Sequence, residues 1–241
     1  MDMNTAIALS RLTAQQRAMD VTATNIANAG TPGYQGERTV FADWLAREKG
    51  GATIAFTQDR ATYRDTQPGP LSHTGNPLDV ALSGQGYFTV RTAAGTRLTR
   101  AGHFELSSTG GLIDGLGNPV LDTAGKPIRF APADTHITIA GDGTISSQNG
   151  RIARLAVVTA ADPQKLQAQG GRLFDPTNTT TAPLANPRLT QGALEGSNIE
   201  PTTELTRMMT DLREFQFTSQ FIQAEADRQQ AAIDKIIQAR N

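Results

Sequence analysis

The sequence predicts an α+β fold, in which a β-rich central domain is flanked by long N- and C-terminal helices that pair as a coiled coil. Three observations carry this. All 23 glycines fall between Gly30 and Gly196, and all 12 prolines between Pro32 and Pro201, so residues 1–29 and 202–241 contain neither. Glycine costs about 1 kcal/mol and proline about 3 kcal/mol in a helix interior, so both ends are free to be helical. The middle, broken by glycine or proline about every five residues, suits short strands and turns. The third observation is a seam of apolar residues at the C-terminal end.

That seam steps alternately by three and four residues through Leu205, Met208, Leu212, Phe215, Ser219, Ile222, Ala226, Gln229, Ile233 and Ile236. A 3.5-residue repeat held over five heptads describes a coiled-coil seam better than one face of a globular helix. At 1.5 Å per residue, a helix from 202 to 238 spans roughly 55 Å. Pro201, Thr202, Thr203 and Glu204 supply the chemistry of a helix start. The N-terminal segment repeats the spacing more weakly through Leu9, Leu12, Gln16, Met19, Ala23 and Ile26. Such a helix needs packing more than propensity. Its partner is the C-terminal seam or the same segments of neighbouring molecules; the plainer reading is that both helices cap the β domain.

In the centre, Leu78–Leu82 and Tyr87–Val90 read as strands with period-two alternation, joined by the turn Ser83-Gly84-Gln85-Gly86. Ile145–Leu155 around Asn149-Gly150 reads as a hairpin with a type I′ turn. Ala156-Val157-Val158 reads as a buried strand, and 175–188, with Pro176, Pro183 and Pro187, as extended connecting chain.

Composition narrows the function. Lys+Arg number 22 against 23 Asp+Glu. This near-neutral balance offers no electrostatic attraction to nucleic acid or anionic lipid. No stretch approaches the ~18 apolar residues of a spanning helix, so membrane insertion is not expected. Cysteine is absent, which removes disulfides, thiolate metal sites and cysteine nucleophiles together. His73, His103 and His136 lie 30 and 33 residues apart without helical or hairpin pairing, which favours scattered polar roles over a metal site. Gly84-x-Gly86 and Gly141-x-Gly143 lack the third glycine of a phosphate loop, and no HExxH or GxSxG is present. The expectation is therefore no catalytic residue, no cofactor and no metal. Met1–Asn4 lacks a basic n-region and no apolar h-region follows, so no cleavable signal peptide is expected.

One stretch goes further. In Thr22-Ala23-Thr24-Asn25-Ile26-Ala27-Asn28-Ala29-Gly30-Thr31-Pro32-Gly33-Tyr34 a polar helix carries Asn25 and Asn28 near its end. The chain then leaves through Gly30 and the turn Thr31-Pro32-Gly33, and Tyr34 offers an apolar anchor beyond the corner. This block resembles the signature of the bacterial flagellar rod and hook family, an Asn-apolar-Ala-Asn block running into Thr-Pro-Gly-aromatic. Later stretches resemble that family in the same order: residues 75–90, 98–104, 110–113 with 117–121, and 192–199. Within the family the chain is most similar to proximal-rod subunits. It is short for a hook protein, and Arg213-Glu214-Phe215-Gln216-Phe217 departs from the Gln-Arg-aromatic-Glu-x-Asn pattern expected of a distal-rod subunit, which is the alternative.

The resemblance implies a non-enzymatic subunit of the basal-body rod that self-assembles axially and transmits torque across the periplasm. Its implied partners are other rod subunits, itself, and the flagellar type III export apparatus, which would pass it without a cleaved signal peptide. The expected organisation is a helix of the inner rod layer (1–34), an extended or β connecting region (35–74), a β-rich outer domain (75–190), a return segment (191–201) and a C-terminal coiled-coil helix (202–241). The assembly seam is assigned to Leu9, Leu12, Met19, Ile26, Leu205, Met208, Leu212, Phe215, Ile222, Ile233 and Ile236, and the family signature to Asn25, Asn28, Thr31, Pro32, Gly33 and Tyr34. Two readings outside this class remain: an enzyme with a β-domain active site, which requires a deep pocket with converging titratable groups, and a coiled-coil adaptor outside the flagellum.

Overall fold

The computed structural model describes residues 3–47, 53–170 and 172–238, with the side chains of 3–6, 41–47, 53–61 and 236 outside the description. The chain divides into two compact units. The first comprises residues 1–26, 37–63 and 201–241, and the second 27–36 and 64–200.

The first unit contains both helices. Helix α1 runs Met3–Ala27 and α2 runs Pro201–Gln238, 38 residues long. Each fills the glycine- and proline-free end from which it was expected, with Pro201 opening α2 where its missing N–H costs nothing. Strands β1 (Glu37–Arg47) and β2 (Thr53–Arg64) form a two-stranded sheet.

The second unit is β-rich. Its strands are β3 (Leu71–His73), β4 (Val80–Leu82), β5 (Tyr87–Thr92), β6 (Gly95–Thr99), β7 (Phe104–Leu106), β8 (Leu112–Asp114), β9 (Thr138–Ile139), β10 (Thr144–Ser147), β11 (Gly150–Arg154) and β12 (Val157–Ala160). They continue, after a 3₁₀ turn at Pro163–Lys165, with β13 (Gln167–Gln169), β14 (Leu173–Asp175), β15 (Thr181–Pro183), β16 (Leu189–Gln191) and β17 (Ala193–Glu195). The largest sheet has the order β13-β14-β6-β5-β12-β15, and its pairings are antiparallel.

Strand β5 alternates as the sequence predicts, but both of its faces are covered. Phe88 and Val90 enter the main core with Leu82, Phe104, Leu112 and Ile145, while Tyr87 turns to a second cluster with Leu98, Leu166 and Phe174. Phe88 meets Phe104 edge to face at 5.3 Å, and Tyr87 meets Phe174 at 5.5 Å. Fully burying one such side chain is worth about 1.5–3 kcal/mol. Strands β4 and β5, adjacent in sequence, do not pair; β4 pairs with β16, more than a hundred residues on.

The hairpin over 145–155 is present as β10–β11, with a turn other than the expected one. Ser147 pairs with Gly150, which leaves Gln148 and Asn149 at the centre. A type I′ turn needs positive φ at both central residues. Among the described residues only glycines have positive φ, so the reversal is completed by Gly150 at φ 120° as the first residue of β11.

Candidate assembly surface and signature corner

The signature residues fall into two groups. In the first unit, Asn25 is buried on the last turn of α1, and its amide holds both backbone groups of Glu37. Nδ2 donates to the Glu37 carbonyl at 2.8 Å, and Oδ1 accepts from the Glu37 N–H at 3.0 Å. A primary amide carries one donor side and one acceptor side, so it can hold the carbonyl and the N–H of one strand residue together. Asparagine at this position therefore pins the first residue of β1 like an added strand.

In the second unit the corner itself is closed by backbone. The Thr31 N–H donates to the Asn28 carbonyl at 3.0 Å, and the Thr31 hydroxyl reaches Asn28 Oδ1 at 3.3 Å. Gly33 has φ 70°, and its N–H donates to the Glu195 carbonyl at 2.8 Å. A Cβ there would sit 2.5 Å from the Arg100 carbonyl carbon. Glycine is required on both counts, backbone angle and close approach. Pro32 is half-buried, and Tyr34 is buried with its carbonyl accepting from Asn198 N–H at 3.3 Å.

Beneath this corner lies a buried ion pair. Arg100 Nη2 is 2.5 Å from Glu195 Oε2, and both side chains are only 2% exposed. Arg100 Nη1 also donates to the carbonyls of Gly84 at 2.7 Å and Gly86 at 2.8 Å, and Nη2 to Leu82 at 3.3 Å. Glu195 Oε1 accepts from the Gly69 N–H at 3.2 Å. Burial pushes the Glu195 carboxyl above its ordinary range, with the Arg100 guanidinium beside it opposing the shift. Asn198 ties three passing segments together: its Oδ1 accepts from Gly36 N–H at 2.8 Å, while Nδ2 donates to the carbonyls of Asp65 at 2.9 Å and Gln67 at 3.1 Å.

The helices of the first unit lie side by side and antiparallel, as their contacts show in order. Thr22 and Asn25 line a cavity of about 360 Å³ with Arg207 and Asp211. Gln15 Nε2 and Arg11 Nη2 both reach Glu214 Oε2, at 3.4 and 3.7 Å. Ile7 and Ala8 line a groove with Phe217, Thr218 and Phe221. The less exposed residues of α2 are Glu204, Met208, Asp211, Phe215, Thr218, Ile222, Glu225 and Gln229, stepping by four and three. Met208, Phe215 and Ile222 of the expected seam belong to this face and are half-buried, as are Leu12, Met19 and Ile26 on α1. Leu9, Leu205, Leu212 and Ile233 are exposed instead. The side chain of Ile236 lies outside the described residues.

The other half of the inward face is polar. Glu204 is 1% exposed and is held by Arg38 Nη1 at 2.7 Å and Arg207 Nη1 at 3.4 Å through Oε1. Its Oε2 and Gln15 Oε1 have no hydrogen-bond partner among the described residues. Burial raises the Asp211 carboxyl above its usual range, and Glu214 and Glu204 push it the same way. Sequence reasoning missed this column because carboxylates at heptad spacing look like a solvated face; the signal was only their shared period with Met208 and Phe215.

The sites offer little for chemistry. Among the described residues no group of three or more His, Cys, Asp or Glu side chains could hold a metal ion. His103 Nδ1 sits 2.7 Å from Asp79 and its Nε2 3.3 Å from Glu105. No helix of the described residues is long and apolar enough to cross a membrane.

Comparison with known proteins gives three family matches along the chain. Residues 6–35 match the flagella basal body rod protein family, 81–147 the flagellar hook protein FlgE/F/G D1 domain, and 190–235 the flagellar basal body rod FlgEFG protein C-terminal region. The chain is 31% identical to the flagellar basal-body rod protein FlgF of Caulobacter vibrioides over 98% of both chains. It is 35% identical to FlgF of Salmonella typhimurium over 90% of this chain and 91% of that one. It is 33% identical to the rod protein FlgG of Bacillus subtilis over 86% and 89%.

Proposed function

The chain belongs to the flagellar basal-body rod protein family, and from that premise we propose that it is a structural subunit of the proximal rod whose terminal helices build the shaft. The similarity to FlgF of Caulobacter vibrioides, over 98% of both chains, supports the proximal place. The single observation that carries the mechanism is the rotation of α2. Its polar column, Glu204 and Asp211, faces inward while Leu205, Met209, Leu212 and Phe217 remain exposed. Large apolar side chains in water on one helix are an association surface, and here they lie on the helix that the family match at 190–235 covers almost entirely.

In this reading α1 and α2 pair as a coiled coil, and neighbouring copies and other rod subunits cover the exposed apolar side chains of α2. Head-to-tail contacts that do not close a ring produce a filament, as a rod requires. Ordering of the helices is offset only at the growing tip, which restrains polymerisation elsewhere. The role is mechanical, without catalysis or cofactor. The subunit reaches the periplasm-spanning rod through the flagellar export apparatus.

The test is genetic. Deleting the gene in the bacterium that encodes it should leave basal bodies without a complete rod and abolish swimming, seen by electron microscopy and motility agar. A copy lacking residues 202–241 should fail to restore either. Intact rods in the deletion strain would overturn the assignment, and rods restored by the truncated copy would overturn the role of α2.

A further inference from the structure

The groove between α1 and α2, lined by Ile7, Ala8, Arg11, Phe217, Thr218 and Phe221, is about 330 Å³ and mostly apolar. Phe217 on its wall is 74% exposed, the highest value of any large apolar residue described. Helix α2 continues 17 residues beyond Phe221, whereas α1 begins at Met3, four residues before Ile7. The final turns of α2 thus run past α1, with Ile233 and Ile237 51% and 56% exposed, one turn apart on the same face.

We propose that this groove receives the Ile233–Ile237 turn of α2 from a second copy of this chain. The proposal deepens the rod reading and rests on it. Within one copy the two features cannot meet: Thr218 and Lys235 are 17 residues apart on one helix, roughly 25 Å at 1.5 Å per residue. The contact is therefore between copies and joins two different patches of the surface, as head-to-tail assembly does. Charge supports the same occupant. Arg11 stands at the groove rim with its side chain more than half exposed and only a 3.7 Å contact to Glu214. Asp234, beside Ile233 on the overhang, is met only by Gln230 among the described hydrogen bonds. Seating the two isoleucines against Phe217 and Phe221 brings that carboxylate to the arginine.

Because the sequence has no cysteine, the contact is testable by cross-linking in the full-length chain. Two single variants, Ile7→Cys in the groove and Gln230→Cys on the overhang, are mixed at high concentration with a short bismaleimide. The expected product is a mixed dimer at least tenfold in excess of either variant's own dimer. Adding Phe217→Ser to the Ile7→Cys chain should lower that product at least tenfold while circular dichroism stays unchanged. Absence of the mixed dimer, equal amounts of the like-with-like dimers, or indifference to Phe217→Ser overturns the proposal. Failure here leaves the rod reading standing, since that is judged by basal bodies of the deletion strain. Cross-linking by a chain whose loss leaves rods intact would overturn the rod reading alone.

Discussion

Replacing Arg100 by methionine removes the guanidinium that sits beneath the signature corner while keeping a side chain of similar reach. Four acceptors lose a donor at once: the carbonyls of Leu82, Gly84 and Gly86, and the Glu195 carboxylate. Both members of the ion pair are 2% exposed. Removing one partner of such a pair costs about 3–5 kcal/mol, because the other charge stays buried. For a unit of about 150 residues that corresponds to a fall of roughly 10 °C in melting temperature. The loss also depends on pH, and its sign is fixed. The folded-state Glu195 carboxyl is already pushed above its ordinary value by burial, and losing Arg100 pushes it further. The folded state then binds the proton more tightly than the unfolded one, so the deficit is greatest above the folded value and shrinks as pH falls through it. Glu195→Gln added to Arg100→Met should recover part of the loss, since it removes the uncompensated charge. Calorimetry of the three proteins between pH 4 and 8 measures all of this. A single variant within 1 kcal/mol of the parent, or a loss that does not change with pH, would refute the reasoning.

Asn25→Asp keeps the acceptor for the Glu37 N–H but sets a second oxygen against the Glu37 carbonyl, so we expect a loss of about 1–3 kcal/mol from the first unit. Urea unfolding followed by helix ellipticity reads it, and Asn25→Ala should cost no more than the aspartate. Asp211→Asn should stabilise the same unit at pH 7 by about 0.5 kcal/mol, the scale of partly screened like-charge contacts. The folded-state carboxyl lies above its unfolded value, so its penalty appears as pH rises; the gain from asparagine should therefore vanish below the unfolded carboxylate range.

The helices were legible because glycine and proline are missing from 1–29 and 202–241, a signal that needs no tertiary context. The corner at Thr31-Pro32-Gly33 was legible for the same local reason. The rotation of α2 was not, because Leu205 and Glu204 are neighbours and periodicity alone does not say which column turns inward; the ion pair from Arg38 of β1 to Glu204, distant in sequence, accompanies that orientation. The pair of Arg100 with Glu195 spans 95 residues, and in sequence each looks like an ordinary surface charge. The pairing of β4 with β16 and of β3 with β17 is equally distant and leaves no local mark.

The first unit is assembled from three stretches, 1–26, 37–63 and 201–241, with most of the second unit synthesised between the latter two. On a ribosome adding roughly 5–20 residues per second, α1 emerges about 10–40 s before α2 is available to cover it. Any product cut short after the β-rich unit leaves α1 without the residues of α2 that it meets, Glu214 and Phe217 among them. A product that stops before residue 201 lacks α2, and with it the exposed Leu205, Phe217 and Ile233 that stand in water along that helix.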